Sequence, residues 1–165
     1  MEIRPEEDRD RAAVYELNTL AFGGLEEADL VDRMRAIEPY FALVAELDGR
    51  VVGHIAFSGL TLNGETTRFL GLAPMAVLPE LQNQTIGSIL VTEGVEWMAR
   101  EGFSAVFLIG HPHFYPRFGF EPAGQLGFTC EFPAPDDAFL VCELTDGCLA
   151  GRSGLIEYNS AFKEI

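Results

Sequence analysis

The apolar residues near the start of the chain recur at spacings of three and four, which is the period of an α-helix. A short edge strand is predicted for residues 1–4, and a first helix begins at about Asp8. Its apolar face is formed by Val14, Leu17 and Ala21. A second helix carries one apolar stripe and ends at a proline; these positions are Leu30, Val31, Met34, Ile37 and Pro39.

Two glycine-containing dipeptides then mark tight turns between strands. Asp48-Gly49 joins two apolar runs within FALVAELDGRVVGHIAFSGLTLNG, and both residues tolerate the positive φ that a two-residue hairpin turn requires. Asn63-Gly64 repeats the signal, so a third strand, residues 69–78, is expected to fold back beside the second.

The stretch LPELQNQTIGSILVTEGVEWM, residues 78–98, predicts a strand end, a polar turn and an amphipathic helix. Ile86, Leu90 and Trp97 are expected on the core face of that helix. Gly94 costs about 1 kcal/mol relative to alanine within a helix, so close packing on the sheet is its expected reason. After Gly102, the run AVFLIG predicts a strand parallel to the third.

The rest of the chain predicts a short helix around HPHFYPRF, a loop rich in Pro and Asp over residues 131–138, and the strand AFLVCEL. The expected fold is α/β, with a mixed, mostly antiparallel central sheet flanked by helices. At 165 residues, without repeats or linker composition, the chain is expected to form one domain, residues 1–165.

Charge and cysteine content restrict the function. A net charge of −15 disfavours nucleic acid and anionic membranes as partners, whereas a cationic partner such as an amine would be attracted; acidic surfaces more often serve only solubility. No apolar window approaches the ~20 residues of a membrane span, and a cytoplasmic protein is expected. The three cysteines, Cys130, Cys142 and Cys148, lack CxxC spacing and histidine partners, so neither a metal site nor a disulfide framework is expected.

A polar turn before a helix leaves the first backbone N–H groups without internal acceptors, and the helix dipole adds positive potential there. Such a turn can bind phosphate or can simply be capped by side chains. The segment LPELQNQTIGSIL resembles the acyl-CoA-binding segment of the GNAT superfamily of N-acyltransferases: Gln82 and Gly87 match the ends of its pattern. Thr85 and Asn83 stand where glycines are frequent. A Cβ at Thr85 is expected to weaken or reposition cofactor binding, while its hydroxyl could add a hydrogen bond to phosphate.

HFYPRFGF, residues 113–120, is similar to the family's YxxxGF segment, and the order of elements resembles the GNAT acyl-CoA N-acyltransferase fold over most of the chain. The resemblance implies acetyl-CoA as co-substrate and an amine as acceptor; from the cysteine and histidine pattern, no metal is expected. The resemblance also implies that main-chain groups of two segments bind the cofactor. These are Met75, Ala76 and Val77 for the pantetheine arm, and Asn83, Gln84, Thr85, Ile86, Gly87 and Ser88 for the pyrophosphate.

Tyr115 matches the family tyrosine that protonates the departing CoA thiolate, a role that suits a phenol with a pKa near ~10. The alternative is a core tyrosine packed beside Phe114 and Phe118. Pro74 is expected at a sheet edge or bulge, because proline cannot donate to a ladder. The general base stays unassigned among His54, His111, His113 and Glu131; for His54 a hydrogen-bonded strand position is the preferred interpretation.

The sequence therefore predicts an N-acetyltransferase that moves an acetyl group from acetyl-CoA to a primary amine of a small molecule or peptide by direct attack in a ternary complex. Two alternatives stay open: a non-catalytic acyl-CoA-binding regulatory domain, and a structural module with an empty groove. The acceptor, the acyl chain length and the oligomeric state, a homodimer included, are not determined by the sequence.

Overall fold

The computed structural model describes residues 1–164. Its helices are α1 (Arg11–Phe22), α2 (Glu26–Met34) and α3 (Ile86–Arg100). Its strands are β1 (Glu2–Pro5), β2 (Tyr40–Leu47), β3 (Arg50–Leu62), β4 (Glu65–Val77), β5 (Ala105–Ile109), β6 (Glu121–Pro122), β7 (Phe128–Cys130), β8 (Phe139–Glu143) and β9 (Gly154–Glu157). Short 3-10 helices lie at Asp8–Asp10, Pro79–Leu81, Tyr115–Phe118, Ala123–Leu126 and Ser160–Glu164.

The chain divides into two compact units. The first comprises Met1–Ser58, Ala73–Gly94 and the segment from Ser160, and the second comprises Gly59–Leu72 and Val95–Asn159. Strands β3 and β4 and helix α3 contribute residues to both. The single domain expected from chain length stays a prediction.

The first unit contains the predicted hairpin and the first two helices. β1 pairs antiparallel with β2, and β2 pairs antiparallel with β3. The turn between them has φ of 51° at Asp48 and 77° at Gly49, which confirms the predicted tight turn. Val14 of α1, Val31 of α2 and Val44 of β2 form a buried cluster, so the predicted apolar faces of both helices are confirmed.

Two predicted boundaries were wrong. Helix α2 ends at Met34 rather than just before Pro39, because the amides of Ala36 and Ile37 bond only three residues back and tighten the chain into turns. Pro39 also disfavours the α conformation at the residue that precedes it. Strand β4 begins at Glu65 rather than at residue 69, since its first four residues are polar and mostly exposed and carry no apolar signal.

Helix α3 packs as the sequence predicts over its first turns but not at Trp97. Ile86 and Leu90 are buried, and a Cβ at Gly94 would lie 2.8 Å from the Phe57 ring, so the close-packing explanation for Gly94 is confirmed. The Trp97 side chain is only half-buried, and its Nε1 donates a hydrogen bond to Glu101 Oε1 at 3.2 Å. Its assignment to the core was therefore wrong, because a polar indole N–H favours a position that reaches a partner.

The second unit contains the predicted parallel pair. Phe69–Gly71 of β4 align with Ala105–Phe107 of β5, and β8 pairs antiparallel with β5. β7 and β9 also pair parallel, while β3–β9 and β6–β8 pair antiparallel. The sheet is therefore mixed and mostly antiparallel, as expected. β6, β7 and β9 were missed by the sequence pattern, being two, three and four residues long.

The Asn63-Gly64 turn is also confirmed, with φ of 52° and 81°. Asn63 Nδ2 donates to the carbonyl of Ser153 at 3.1 Å, and Asn63 Oδ1 accepts from the amide of Leu155 at 2.9 Å. The side chain thus ties the hairpin to β9. Among residues 1–164, no helix is both long and apolar enough to cross a membrane.

Candidate functional site

The turn between β4 and α3 is held by two hydrogen bonds to neighbouring backbone. The amide of Leu78 donates to the carbonyl of Val52 at 3.0 Å. Gln82 Nε2 donates to the carbonyl of Val77 at 2.9 Å. The sequence motif identified Gln82 but not this role, which is to brace the turn against the end of β4.

Two residues of this turn adopt the left-handed conformation that favours glycine. φ is 64° at Asn83 and 73° at Thr85. Asparagine tolerates this region, whereas a β-branched residue there is an outlier that costs about 1–2 kcal/mol. The turn therefore has a glycine-like backbone at the two positions where the sequence departs from the glycine pattern.

The backbone amides of the turn point to anion binding. Within residues 1–164, the amides of Asn83, Thr85, Ile86 and Gly87 donate no hydrogen bond, and the amide of Ile89 donates to the carbonyl of Thr85 at 3.0 Å. Asn83, Gln84 and Thr85 are exposed. Unsatisfied donors at the start of the 15-residue helix α3 have the geometry and the dipole to receive phosphate oxygens.

Helix α3 begins at this point because its first apolar residues lie directly on the sheet. A Cβ at Gly53 of β3 would come within 3.0 Å of Ile86 Cγ2 and 2.9 Å of Leu90 Cδ1. This contact fixes the axis of the helix and hence the direction of its unpaired amides.

The other predicted cofactor segment lies on β4, in the same unit as the turn. Ala76 and Val77 are buried and Met75 is half-buried. The Val77 carbonyl is already occupied by Gln82. Pro74 is buried within β4, three residues beyond Gly71, the last residue described in register with β5. The structure thus brings Met75–Val77 together with residues 83–88 in one unit, while the predicted contact with pantetheine stays a prediction.

Tyr115 begins a 3-10 helix, Tyr115–Phe118, in the second unit. The residue is 8% exposed, and its ring packs edge-on against Phe114 at 4.9 Å and Phe120 at 5.8 Å between centroids. Burial raises the pKa of Tyr115 to about 12. Within residues 1–164 the Tyr115 hydroxyl makes no hydrogen bond, and its oxygen is not fully buried. The phenol is therefore a protonated donor that reaches the surface.

The candidate bases differ in accessibility. His54 is completely buried, with Nδ1 3.5 Å from Asn18 Nδ2 and Nε2 3.2 Å from Glu6 Oε1. The interpretation of it as a hydrogen-bonded strand residue therefore holds, and it cannot meet an amine directly. His111 and His113 are exposed in the turn that precedes Tyr115. Glu131 is half-buried, and its amide donates to the Ile156 carbonyl at 3.2 Å. The base stays unassigned among the last three.

A buried polar network in the first unit was not predicted. Glu6 Oε1 lies 2.8 Å from Arg35 Nη2, while Glu6 Oε2 accepts from Arg35 Nε at 3.1 Å and from the Tyr40 hydroxyl at 3.0 Å. Burial alone would raise the pKa of Glu6, but His54 and Arg35 together lower it to about 2. The network joins residues far apart in sequence, so no local pattern could reveal it.

The cysteines show no sign of nucleophilic activation. Cys130, Cys142 and Cys148 are free thiols, and burial raises the pKa of each, which disfavours the reactive thiolate. Among residues 1–164, no group of three or more His, Cys, Asp or Glu side chains is arranged to hold a metal ion.

Known proteins with similar sequences and structures carry the same fold. The family model of the Acetyltransferase (GNAT) family matches residues 11–120. The Uncharacterized N-acetyltransferase YhbS of Escherichia coli is 37% identical over 169 aligned positions that cover both chains entirely. YjhQ, another uncharacterized N-acetyltransferase of the same species, is 40% identical over 78% of this chain and 74% of its own.

Solved structures agree. The crystal structure of YhbS in complex with CoA superposes with a TM-score of 0.93 at 36% identity, covering 98% of this chain and 91% of that one. A GNAT family acetyltransferase from Brucella melitensis in complex with acetyl-CoA gives a TM-score of 0.82 at 30% identity, covering 98% and 97%. On the family match and these relatives, the chain belongs to the Acetyltransferase (GNAT) family.

Proposed function

We propose that this protein is an N-acetyltransferase that moves an acetyl group from acetyl-CoA to a primary amine of a small molecule or peptide, by direct attack in a ternary complex. The observation that carries the proposal is the group of amides at the start of α3, those of Asn83, Thr85, Ile86 and Gly87, which donate to no acceptor in the described part of the chain. These donors provide local positive potential on a protein of net charge −15, which otherwise repels a polyanion.

The co-substrate would be held by the two predicted segments. Amides of residues 83–88 would receive its pyrophosphate, and main-chain groups of Met75–Val77 would line its pantetheine arm. The thioester supplies an acetyl group already activated for transfer. The fit is supported by the left-handed conformation of Asn83 and Thr85, which keeps the turn in the form a glycine would give it.

Tyr115 is proposed as the general acid. With a pKa of about 12 its phenol stays protonated at neutral pH, and it can donate a proton to the departing thiolate. The accessible hydroxyl favours an enzyme over the alternative of a non-catalytic acyl-CoA-binding regulatory domain. The acceptor amine must be neutral to attack, and His111, His113 and Glu131 are the candidates to take its proton, directly or through water.

The setting of the reaction follows from charge and redox chemistry. The excess of acidic residues attracts a protonated amine to the surface and disfavours nucleic acid. Three free thiols suit the reducing cytoplasm, where we place the enzyme. A homodimer stays open.

Calorimetric titration tests the binding half of the proposal. Acetyl-CoA should bind saturably, and acetyl-pantetheine, which lacks the diphosphate, should bind at least about 100-fold more weakly, because two or more charge-assisted hydrogen bonds are lost. Thiol release with a panel of primary amines then separates an enzyme from a binder. No saturable binding at millimolar acetyl-CoA would refute both the enzyme and the non-catalytic acyl-CoA-binding domain.

A further inference from the structure

We infer that Gly110 is a positioning residue for Tyr115: the missing side chain at Gly110 leaves the space that the Tyr115 ring occupies, and so fixes where its hydroxyl lies. The inference rests on the proposed function, in which Tyr115 is the general acid. Both residues belong to the second unit.

Gly110 directly follows β5, and its amide donates to the carbonyl of Ala138 at 2.9 Å. A Cβ built at Gly110 would lie 2.5 Å from Tyr115 Cε2 and 3.0 Å from Tyr115 Cδ2. It would also lie 3.2 Å from Leu108 Cδ1. Carbon atoms do not approach to 2.5 Å without a bond, so any side chain at Gly110 must displace the Tyr115 ring.

The requirement for glycine comes from space and not from backbone conformation. The φ of Gly110 lies outside the left-handed region, so it is a φ that alanine can adopt. The backbone of Gly110 is moreover fixed by its bond to Ala138. Relief of the clash must therefore come from the tyrosine side.

The Tyr115 ring cannot move deeper, because aromatic rings hold its other sides. Phe114 and Phe120 meet it edge-on, at interplanar angles of 86° and 70°. The amides of Phe114 and Tyr115 both donate hydrogen bonds to the carbonyl of His111, at 3.2 and 3.4 Å, and these bonds fix the turn. A displaced ring must rotate toward the surface, and its hydroxyl moves with it.

A displaced hydroxyl should slow proton transfer without disturbing the pyrophosphate site. Misplacement by about 1 Å can cost on the order of 100-fold in rate. We expect Gly110→Ala to lower kcat by about 10- to 100-fold, while the Kd for acetyl-CoA changes by less than about twofold.

Gly124→Ala is the matched control. Gly124 lies in the same unit, its φ lies outside the left-handed region, and a Cβ there would meet no atom within 4 Å. This variant should leave kcat unchanged. The two variants add the same methyl group and differ only in what it touches.

A double-mutant cycle with Tyr115→Phe separates positioning from general damage. If Gly110 acts through the tyrosine hydroxyl, adding Gly110→Ala to Tyr115→Phe should lower kcat by less than about twofold further. The same 10- to 100-fold loss in both backgrounds would overturn the inference.

A readout that needs no catalysis completes the test. The Tyr115 ring protons, identified by their loss in Tyr115→Phe, should carry ring-current shifts from Phe114 and Phe120 in the NMR spectrum at pH 7. In Gly110→Ala these lines should move toward unstructured values. Unmoved lines would overturn the inference, whereas moved lines with normal kcat would refute the acid role of Tyr115 and leave only the steric relationship.

Discussion

Nε2 of His54 lies 3.2 Å from Oε1 of Glu6, at a position where His54 has no exposed surface. The same carboxylate is held by Arg35 and Tyr40, so one glutamate connects the chain after β1 with the residue that follows α2 and with β2 and β3. A buried charge with this many partners makes the first unit sensitive to its protonation.

Acid should destabilise the protein through Glu6. The Glu6 pKa is about 2 in the folded chain, against an ordinary value of 4.5. Because the folded value is the lower one, the stabilisation is fully present above about pH 4.5 and is lost as pH falls from there toward 2. The loss should reach about 3 kcal/mol in the free energy of unfolding, measured by urea denaturation at successive pH values.

Glu6→Gln should remove much of that pH dependence and lower the free energy of unfolding by about 3–5 kcal/mol, because it removes the buried carboxylate that Arg35, Tyr40 and His54 share. Arg35 keeps its pair with Asp32, but that carboxylate is more than half exposed and replaces little of the loss. Glu46→Gln is the matched control. Arg4, the partner of Glu46, keeps a second pair with Asp10, so the loss there should be about 1 kcal/mol or less. Equal losses in the two variants would contradict the importance given to Glu6.

Thr85→Gly should raise the free energy of unfolding by about 1 kcal/mol, because relief of the left-handed strain exceeds the added entropy of the unfolded chain. Asn83→Gly should raise it less, since asparagine already tolerates that conformation. Thermal or urea unfolding measures both.

The same variants decide what Thr85 contributes to the co-substrate. If the Thr85 side chain only crowds the turn, Thr85→Gly should bind acetyl-CoA at least as tightly as the original protein in calorimetry. Tenfold weaker binding by Thr85→Gly, restored in Thr85→Ser, would instead assign a hydrogen bond to the hydroxyl.

Gly94→Ala should destabilise the protein even though alanine is the better helix former. The new methyl group would lie 2.8 Å from the Phe57 ring, which is fully buried, and overpacking costs about 1–3 kcal/mol against a gain in helix propensity of about 1 kcal/mol. Thr92→Ala, at an exposed position of the same helix, should be neutral or slightly stabilising. A stabilised Gly94→Ala variant in urea denaturation would show that α3 can shift away from β3.

Tyr115→Phe should lower kcat by about 100-fold, the usual contribution of a general acid. The free energy of unfolding should change by less than about 0.5 kcal/mol, because the hydroxyl makes no hydrogen bond within residues 1–164. Thiol-release kinetics and urea denaturation measure the two effects. A normal kcat would instead support the alternative interpretation, in which Tyr115 is a core aromatic residue.

Local signals predicted the parts of this protein that are decided locally. Helix periodicity placed Val14 and Val31 in the core, and the Asp48-Gly49 and Asn63-Gly64 pairs placed both hairpins. The short strands β6, β7 and β9 escaped prediction, because two to four residues carry no readable alternation and their pairing depends on distant partners.

The candidate site was likewise predictable from local sequence signals only in part. The motif identified the turn before α3, but only the structure shows that Thr85 adopts a glycine-like φ and that Gln82 bonds Val77. The Glu6 network and the space under Tyr115 at Gly110 depend on residues that meet only after folding. No spacing rule in the sequence could have indicated them.

Asn63 is followed by glycine, the sequence in which asparagine most readily cyclises to a succinimide with loss of ammonia. The succinimide then hydrolyses to aspartate. The cyclisation requires the Gly64 nitrogen to attack the Asn63 side-chain carbonyl carbon, and hence requires the side chain to swing free. Its bonds to Ser153 and Leu155 hold it in place. The two hydrogen bonds that connect the hairpin to β9 should therefore also slow the deamidation of Asn63 during long storage.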